Sequence, residues 1–450
     1  MVEKRKKIPQ NDSKKTAREA ALEVLHQVFR HPENGTPVPV LLAEKTASLD
    51  VRDVSLTSEL VYGVLRRFML LDTVLTSHLR RPAALSPQVR MLLRLGALEL
   101  LFLDGIPERA TVNELVEIAR RRFGQRLSSL VNALLRALAR DKETVFKPLS
   151  LAEGCSLPPW LAELWGRQYG AEKALEFAHN TQTGPAPCWR VNTLRPGSGE
   201  LLAEWTARGY TRVGDFGFSA FGLPQNRDRA GEERTLLEIL ERDGALTRQG
   251  AASQLLVGDI VRVIREAAFE DVPLWDACCG RGGKSTALLE QGIRVALASD
   301  PSAFRLEDFK KSVRRLGLPM PQILCLPVQD VADSFPLILL DVPCSGTGTL
   351  GRVPELRLRL TREKLERVVR LQREILESVW PKLEPGGLLF YATCALNKEE
   401  NETQIQMFLE GHHEAEGVFQ KYYFPFFPGQ DAMFLSVIRK DGAEAEKFKL

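Results

Sequence analysis

The feature that most constrains the fold of this chain is a change of pattern near residue 245. From there on, short continuous apolar runs alternate with segments long enough for helices, such as 302–316 and 361–383. The apolar runs lie at 273–277, 295–300, 322–326, 337–341 and 387–391. Runs of this kind are typical of strands buried on both faces of a parallel sheet. We therefore predict a doubly wound α/β sheet of Rossmann-like fold in this part of the chain.

The first third of the chain has a different, helical pattern. Apolar residues recur at spacings of three and four, as in 60–65 and 92–103, and no strand pattern is evident. Pro-rich segments at 147–159 and 185–187 separate this all-α region from the rest of the chain. A chain of 450 residues is also too long for a single core. The predicted parts are a basic tail at 1–13, an all-α domain at 14–145, a linker and small adaptor subdomain at 146–240 with a strand at 188–192, and an α/β domain at 241–450.

The net charge of +3 conceals an asymmetry between these parts. Residues 1–145 hold 24 Lys or Arg against 17 Asp or Glu, a charge of +7, so the remainder carries −4. The basic residues form clusters at 4–7, 66–67, 80–81 and 120–122. Clustered cations favour binding to a phosphate backbone through counterion release, so we expect the first part to face a polyanion. For any one cluster alone, a solvated helix face is the simpler interpretation.

The seven cysteines indicate a reducing compartment. They show no regular spacing, no Cys-x-x-Cys pair and no accompanying histidine cluster, which argues against a disulfide framework and against a zinc site. We expect free thiols and no bound metal. No segment approaches the ~20 apolar residues that a membrane span requires, so we expect a cytoplasmic protein without membrane association.

Acidic residues end three of the predicted strands, namely Asp276, Asp300 and Asp341. The carboxyl edge of an open α/β sheet is where ligands bind. The glycine-rich turn after the first of these strands consists of Cys278, Cys279, Gly280, Arg281, Gly282, Gly283 and Lys284. Its spacing fits neither a nucleoside-triphosphate loop nor the dinucleotide fingerprint. We predict a site for another nucleoside, S-adenosyl-L-methionine, in which the turn approaches the ligand and Asp300 holds the ribose hydroxyls.

Two thiols follow the last two predicted strands. Cys344 lies in the run Pro-Cys-Ser-Gly-Thr-Gly, and Cys394 directly follows Tyr-Ala-Thr. A thiolate that adds to carbon 6 of a cytosine, with protonation at nitrogen 3, makes the ring an enamine that accepts a methyl group at carbon 5. This chemistry needs an attacking thiol, an acid at nitrogen 3 and a base that removes the carbon-5 proton. Cys394, Asp341 and Cys344 can fill these roles, although spacing alone does not decide which thiol attacks.

Free cysteines are often no more than small buried hydrophobes. We favour that interpretation for Cys155, Cys188, Cys279 and Cys325. The loops around the other two thiols favour a chemical role, and Lys284 is our candidate for a positive charge near the attacking thiolate.

These motifs resemble those of the RNA cytosine-C5 methyltransferases, in the segments 282–284, 341–348, 391–394 and 399–402. The first part resembles the NusB-type RNA-binding domain, in the segments 60–66, 106–114 and 131–136. The combination resembles the bacterial Sun/Fmu (RsmB) family, which methylates small-subunit ribosomal RNA. Further matches at 190–194, 252–254 and 431–434 extend the likeness over nearly the whole chain.

The resemblance implies a multidomain protein, with an all-α NusB-like domain followed by a class I S-adenosylmethionine-dependent methyltransferase domain. It implies that Cys394 is the nucleophile and that Cys344 assists product release, whereas DNA cytosine-C5 enzymes attack with the Pro-Cys thiol. It places residues 278–284, Asp300 and Asp341 at the cofactor. The acid that the family has after the third strand, beside the adenine, is absent from its usual position, and Asp330 is the candidate for it.

Two alternatives remain open at this point. One is a transfer-RNA methyltransferase with the same chemistry. The other is a non-catalytic RNA-binding factor in ribosome assembly, suggested because Cys279-Gly280-Arg281 replaces the family's Ala-Ala-Pro. The joint presence of Lys284, Asp341, Cys344 and Cys394 favours an enzyme. The sequence does not indicate the oligomeric state.

Overall fold

The computed structural model describes residues 15–33, 35–79, 85–144, 146, 149–223, 230–425 and 428–442. The predicted basic tail and the cluster at 80–81 lie outside these residues. The chain divides into two compact units, one that extends to Leu157 and includes Arg357–Arg359, and one that begins at Pro158.

The described residues of the first unit are helical, without strands. The helices are α1 (Ala17–Arg30), α2 (Val38–Thr46), α3 (Val51–Ser77), α4 (Pro87–Phe102), α5 (Glu108–Phe123), α6 (Gln125–Asp141) and the short α7 (Leu151–Gly154). Helix α1 begins with a capping box formed by Thr16 and Glu19. The apolar residues spaced by three and four, such as Leu60, Leu92 and Leu135, meet in one core. The prediction of an all-α domain is confirmed.

The second unit begins with a helical pair, α8 (Pro159–Tyr169) and α9 (Ala171–Asn180). A small antiparallel sheet of order β2-β3-β1-β4 follows. Its elements are β1 (Cys188–Val191), α10 (Ser198–Ala207), β2 (Thr211–Val213), β3 (Gly217–Ser219), α11 (Ala230–Arg242) and β4 (Leu246–Arg248). The indole of Trp205 stacks on Phe218 with ring centroids 5.5 Å apart, which anchors the core of this subdomain. Of its strands, we had predicted β1 alone.

A seven-stranded sheet forms the centre of the second unit, in the order β10-β11-β9-β8-β5-β6-β7. Its strands are β5 (Leu274–Asp276), β6 (Val295–Ser299), β7 (Gln322–Leu324), β8 (Phe335–Asp341), β9 (Leu383–Thr393), β10 (Ala415–Tyr423) and β11 (Met433–Lys440). The accompanying helices are α12 (Ala251–Glu266), α13 (Gly283–Glu290), α14 (Ala303–Leu316), α15 (Arg362–Val379) and α16 (Glu402–Gly411).

The five predicted strands are all present and lie parallel to one another. Both faces of the sheet are covered, as strand β8 illustrates: Leu337 and Leu339 pack with the core of α12 to α14, while Ile338 and Leu340 pack with the core of α15 and α16. The Rossmann-like fold is therefore confirmed. One correction concerns β10 and β11, which are antiparallel and make the sheet mixed rather than purely parallel.

Among the helices that the structure describes, none combines the length and apolar character needed to cross a bilayer.

Candidate active site

The candidate site lies at the carboxyl edge of the large sheet. The register pairs Asp276 with Leu339 across β5 and β8, and Asp341 with Ala392 across β8 and β9. Asp341 and Cys394 therefore emerge side by side from neighbouring parallel strands, with Asp276 one strand further along. This edge is where ligands bind in open α/β sheets.

The two thiols that follow these strands are in contact. Cys344 Sγ lies 3.0 Å from Cys394 Sγ, and the Cys394 backbone N–H donates to Cys344 Sγ at 3.4 Å. Both residues are partly exposed. The hydrogen bond to Cys394, together with burial, raises the pKa of the Cys344 thiol well above its usual value. Cys344 therefore keeps its proton beside the sulfur of Cys394.

Gly348 lets the two thiol loops approach each other. Its N–H donates to the carbonyl of Cys394 at 3.0 Å, and its own carbonyl accepts from the Ala432 N–H at 2.8 Å. A Cβ at this position would lie 2.4 Å from the Ala432 oxygen and 2.8 Å from the Cys394 oxygen. The second glycine of the Ser-Gly-Thr-Gly run is therefore required by space.

Lys284 and Asp341 form an ion pair beside the thiols. Lys284 Nζ lies 2.5 Å from Asp341 Oδ2, and the lysine side chain is 12% exposed. Burial alone would lower the pKa of Lys284, but the Asp341 carboxylate outweighs it and the pKa is raised. The lysine is thus a fixed positive charge, and Cys394 is among the groups with which this charge interacts.

The glycine-rich loop joins β5 to α13 and leaves open space at the edge of the sheet. Gly280 has φ +54°, and a Cβ at Gly280 or Gly283 would meet no atom within 4 Å, so the loop borders open space. The Gly280 N–H donates to Asp300 Oδ2 at 3.1 Å, which fixes the acid at the end of β6 against the loop. At Gly282, φ is +75° and a Cβ would lie 1.8 Å from the Phe309 ring. The open space beside the loop, bordered by the Asp300 carboxylate, is compatible with the predicted cofactor S-adenosyl-L-methionine.

Asp276 supports this loop by a hydrogen bond to the start of α13, the helix that follows the loop. It is buried, and its carboxylate accepts a hydrogen bond from the Ser285 hydroxyl. Burial raises the pKa of Asp276 to about 7. Burial likewise raises the pKa of Cys278 and Cys279, so these loop thiols stay protonated.

Two of the predicted cofactor residues, Arg281 and Asp330, are exposed. The Arg281 guanidinium pairs with Asp308 of α14 at 2.9 Å and lies over the Phe304 ring, 5.4 Å from its centroid. Asp330 is exposed, in a 3-10 turn whose Val328 carbonyl accepts from Lys382.

Our interpretation of the remaining cysteines needs one correction. Cys155, Cys188 and Cys279 are buried as expected, but Cys325 is exposed. It directly follows β7, which is an edge strand of the large sheet. Its thiol donates to the Pro301 carbonyl at 3.6 Å.

Three further side chains belong to the site, although the sequence pattern gives them no role. They are those of Arg352, Glu400 and Asp431. Arg352 Nε donates to Asp431 Oδ2 at 2.7 Å. Burial would lower the pKa of Arg352, but the Asp431 carboxylate, with a smaller contribution from Cys394, raises it. Glu400 is buried beneath the Cys344 loop. All three residues lie in or beside segments that resemble family motifs, so the sequence did mark their neighbourhood. The spacing of residues along the chain does not reveal which side chains turn inward.

Related proteins identify the family. A protein of Thermus thermophilus called ribosomal RNA small subunit methyltransferase B is 36% identical to this chain, covering 89% of the chain and 88% of the relative. The probable methyltransferase B of Synechocystis is 31% identical, over 89% of the chain and 90% of the relative. The chain belongs to the ribosomal RNA small subunit methyltransferase B family. It is thus a member of a family of RNA methyltransferases, and the resemblance to the Sun/Fmu (RsmB) family is confirmed.

Family descriptions and solved structures agree with membership in the methyltransferase B family. The family described as 16S rRNA methyltransferase RsmB/F matches residues 266–428, and the NusB family matches residues 15–140. The crystal structure of PH0851 has a TM-score of 0.68 at 24% identity, covering 94% of this chain and 98% of that one. NSun6 from Pyrococcus horikoshii with SFG has a TM-score of 0.51 at 19% identity, covering 63% and 98%. These two structures show a shared fold.

Proposed function

We propose that this protein transfers the methyl group of S-adenosyl-L-methionine to carbon 5 of a cytosine in small-subunit (16S) ribosomal RNA, through a covalent adduct with Cys394. The observation that carries the proposal is the 3.0 Å contact between Cys344 and Cys394 beside the Lys284–Asp341 ion pair. One thiol is needed to attack the ring and one to assist its release.

The surroundings of the two thiols support Cys394 as the nucleophile. The raised pKa of Cys344 keeps that thiol protonated, whereas Cys394 has Lys284 and Arg352 as nearby cations. The sulfur forms a bond to carbon 6 of the cytosine, and the electrons of the 5,6 double bond move into the ring as nitrogen 3 takes a proton that the Asp341 carboxylate relays from solvent. The bound cofactor supplies the methyl group that carbon 5 then accepts.

Release of the product requires the second thiol. Once Cys394 is bonded to carbon, its charge and its hydrogen bond to Cys344 are lost, and both had raised the pKa of Cys344. Cys344 can then yield its proton to solvent and accept the carbon-5 proton. The electrons of that C–H bond restore the double bond, Cys394 leaves as thiolate, and nitrogen 3 returns the proton it had taken to solvent by way of Asp341.

The names of the relatives support ribosomal RNA over transfer RNA as the substrate. The target base must leave any stack to reach Cys394, so loops or opened pairs are the expected substrates. Both thiols must be reduced, as we expect in the cytoplasm.

The decisive experiment traps the adduct. Cys344→Ala should accumulate a protein–RNA band on a denaturing gel, and the double variant Cys344→Ala, Cys394→Ala should not. An adduct in Cys394→Ala but not in Cys344→Ala would exchange the two roles. Bisulfite sequencing of ribosomal and transfer RNA from a deletion strain identifies the target, and unchanged methylation in both would favour the non-catalytic assembly factor.

A further inference from the structure

We infer that Glu400 is a positioning residue that fixes the spacing between the two thiols, and that product release depends on it. The inference rests on the proposed function, since it assigns separate steps to Cys344 and Cys394. Glu400 is fully buried.

The carboxylate of Glu400 holds the loop that carries Cys344. Its Oε2 accepts the Ser345 N–H at 2.7 Å, and its Oε1 accepts the Ser345 hydroxyl at 2.5 Å. Gln372 of α15 donates both to Oε2 at 3.1 Å and to the Pro343 carbonyl at 2.9 Å. The residues on both sides of Cys344 are therefore tied to one carboxylate.

The same residue is tied to the segment that carries Cys394. The Tyr391 hydroxyl, three residues before the thiol, donates to the Glu400 carbonyl at 2.8 Å. Asn397, three residues after it, donates to Oε1 at 3.0 Å. Asn397 is held in turn by the Trp165 indole N–H of α8, which donates to its Oδ1 at 3.0 Å. Glu400 thus joins the two loops from beneath the thiol pair.

The chemistry of the carboxylate explains why this position demands an acid. Every group that contacts its two oxygens is a donor, so a carboxylate accepts four hydrogen bonds while buried. An amide in its place presents two N–H groups to donors, which forces the Ser345 loop or Asn397 to move. Such a movement changes the distance between the two sulfurs without touching RNA or cofactor.

The test compares Glu400→Gln with Glu399→Gln in the full-length protein. Glu399 is the adjacent acid, only half-buried, and accepts from Gln168 at 2.7 Å. We expect Glu400→Gln to lower kcat on the order of 100-fold, as misplacement by about 1 Å does, with KM for RNA and cofactor affinity within about twofold of wild type. It should also accumulate the RNA adduct with both cysteines present. Glu399→Gln should resemble wild type in every measurement.

A second variant restores hydrogen-bond complementarity. In Glu400→Gln, Asn397→Asp, the new carboxylate accepts from the amide and still accepts from Trp165, so part of kcat should return. Ser345→Ala removes one donor and should give a smaller loss of kcat, which keeps the inference testable if Glu400→Gln does not fold. Wild-type kcat and no adduct in a folded Glu400→Gln, or in Ser345→Ala if it alone folds, would overturn the inference. Absence of an adduct in Cys344→Ala would instead overturn the proposed function.

Discussion

Lys284, in the first turn of α13, pairs through Nζ with Oδ2 of Asp341, the last residue of β8, at 2.5 Å. The pair joins the glycine-rich loop to the strand that leads into the Cys344 loop. It therefore places one cation between the region that fits the cofactor and the thiols.

Replacing this cation should impair the chemistry more than the fold. Lys284→Met leaves the Asp341 carboxylate unpaired and removes a charge that favours the Cys394 thiolate, so methyl transfer should fall by on the order of 100-fold or more. Single-turnover assays with labelled cofactor measure this. Lys310→Met, which removes a partly exposed lysine paired with Glu307 on α14, is the control. Equal rates in the two variants would contradict the assignment.

Cys394→Ala should abolish methyl transfer while leaving cofactor affinity within about twofold, because the thiol acts on the base and not on the glycine-rich loop. Calorimetric titration with S-adenosyl-L-methionine and a methyl-transfer assay separate the two effects. Substantial residual turnover would sink the proposed role of Cys394.

Gly348→Ala should reduce activity through geometry alone. The new methyl group overlaps the Cys394 and Ala432 carbonyl oxygens, so one of the two segments must shift. Gly258→Ala within α12 is the matched control, since its Cβ would meet no atom within 4 Å. The control should gain about 1 kcal/mol of stability, as alanine does over glycine in a helix. Thermal unfolding and turnover of both variants test this, and unimpaired turnover in Gly348→Ala would refute it.

Asp276 should make stability depend on pH in a defined window. Its pKa is raised by burial to about 7 in the folded protein, against ~3.9 when unfolded. The folded state therefore holds the proton more tightly, and its advantage is complete below pH ~4 and lost as pH rises through 7. Asp276→Asn cannot ionise, so its melting temperature relative to wild type should increase between pH 5 and pH 8. A constant difference across that range would disprove the shift.

The helical unit should supply the salt-dependent part of RNA affinity. Arg121 pairs with Glu19 at 3.2 Å and Arg122 with Glu23 at 3.6 Å, so intramolecular pairs partly neutralise the 120–122 cluster. Replacing Arg120, Arg121 and Arg122 by Gln should still lower the slope of log affinity against log salt, by ~0.7 for each RNA phosphate that the variant no longer neutralises. Arg234, Arg242 and Arg262, also exposed and ion-paired, are the matched control set in the second unit. Equal slopes in the variant and the control set would mean that the 120–122 cluster is a solvated helix face that does not bind RNA.

The sequence predicted the parallel strands well because a strand buried on both faces leaves a continuous apolar run. The short strands β2 to β4 gave no such signal, since a three-residue strand such as Thr211–Val213 is exposed at two positions. Helix α15 ends at Val379, four residues before our expected end, because a 3-10 turn at Trp380–Lys382 leads directly into β9.

At the site, the sequence predicted which strand ends meet but not which side chains converge there. Cys344, Cys394, Asp341 and Lys284 follow from strand ends and motifs. The network of Glu400 depends on Gln372 and Ser345, whose meeting is set by how α15 packs against the sheet. Arg281 makes contacts that the sequence does not indicate, since its guanidinium pairs with Asp308 and lies over Phe304 of α14.

The antiparallel pair β10 and β11 has a consequence for the strand that leads to Cys394. Because β11 pairs with β9 as far as Thr393, Cys394 extends from an interior strand rather than from a sheet margin. Edge strands detach first when a sheet frays. The amides of β9 that bond to β11 should therefore exchange with deuterated solvent only after this hairpin has opened, and the amide of Thr393 should be among the slowest to exchange in the chain.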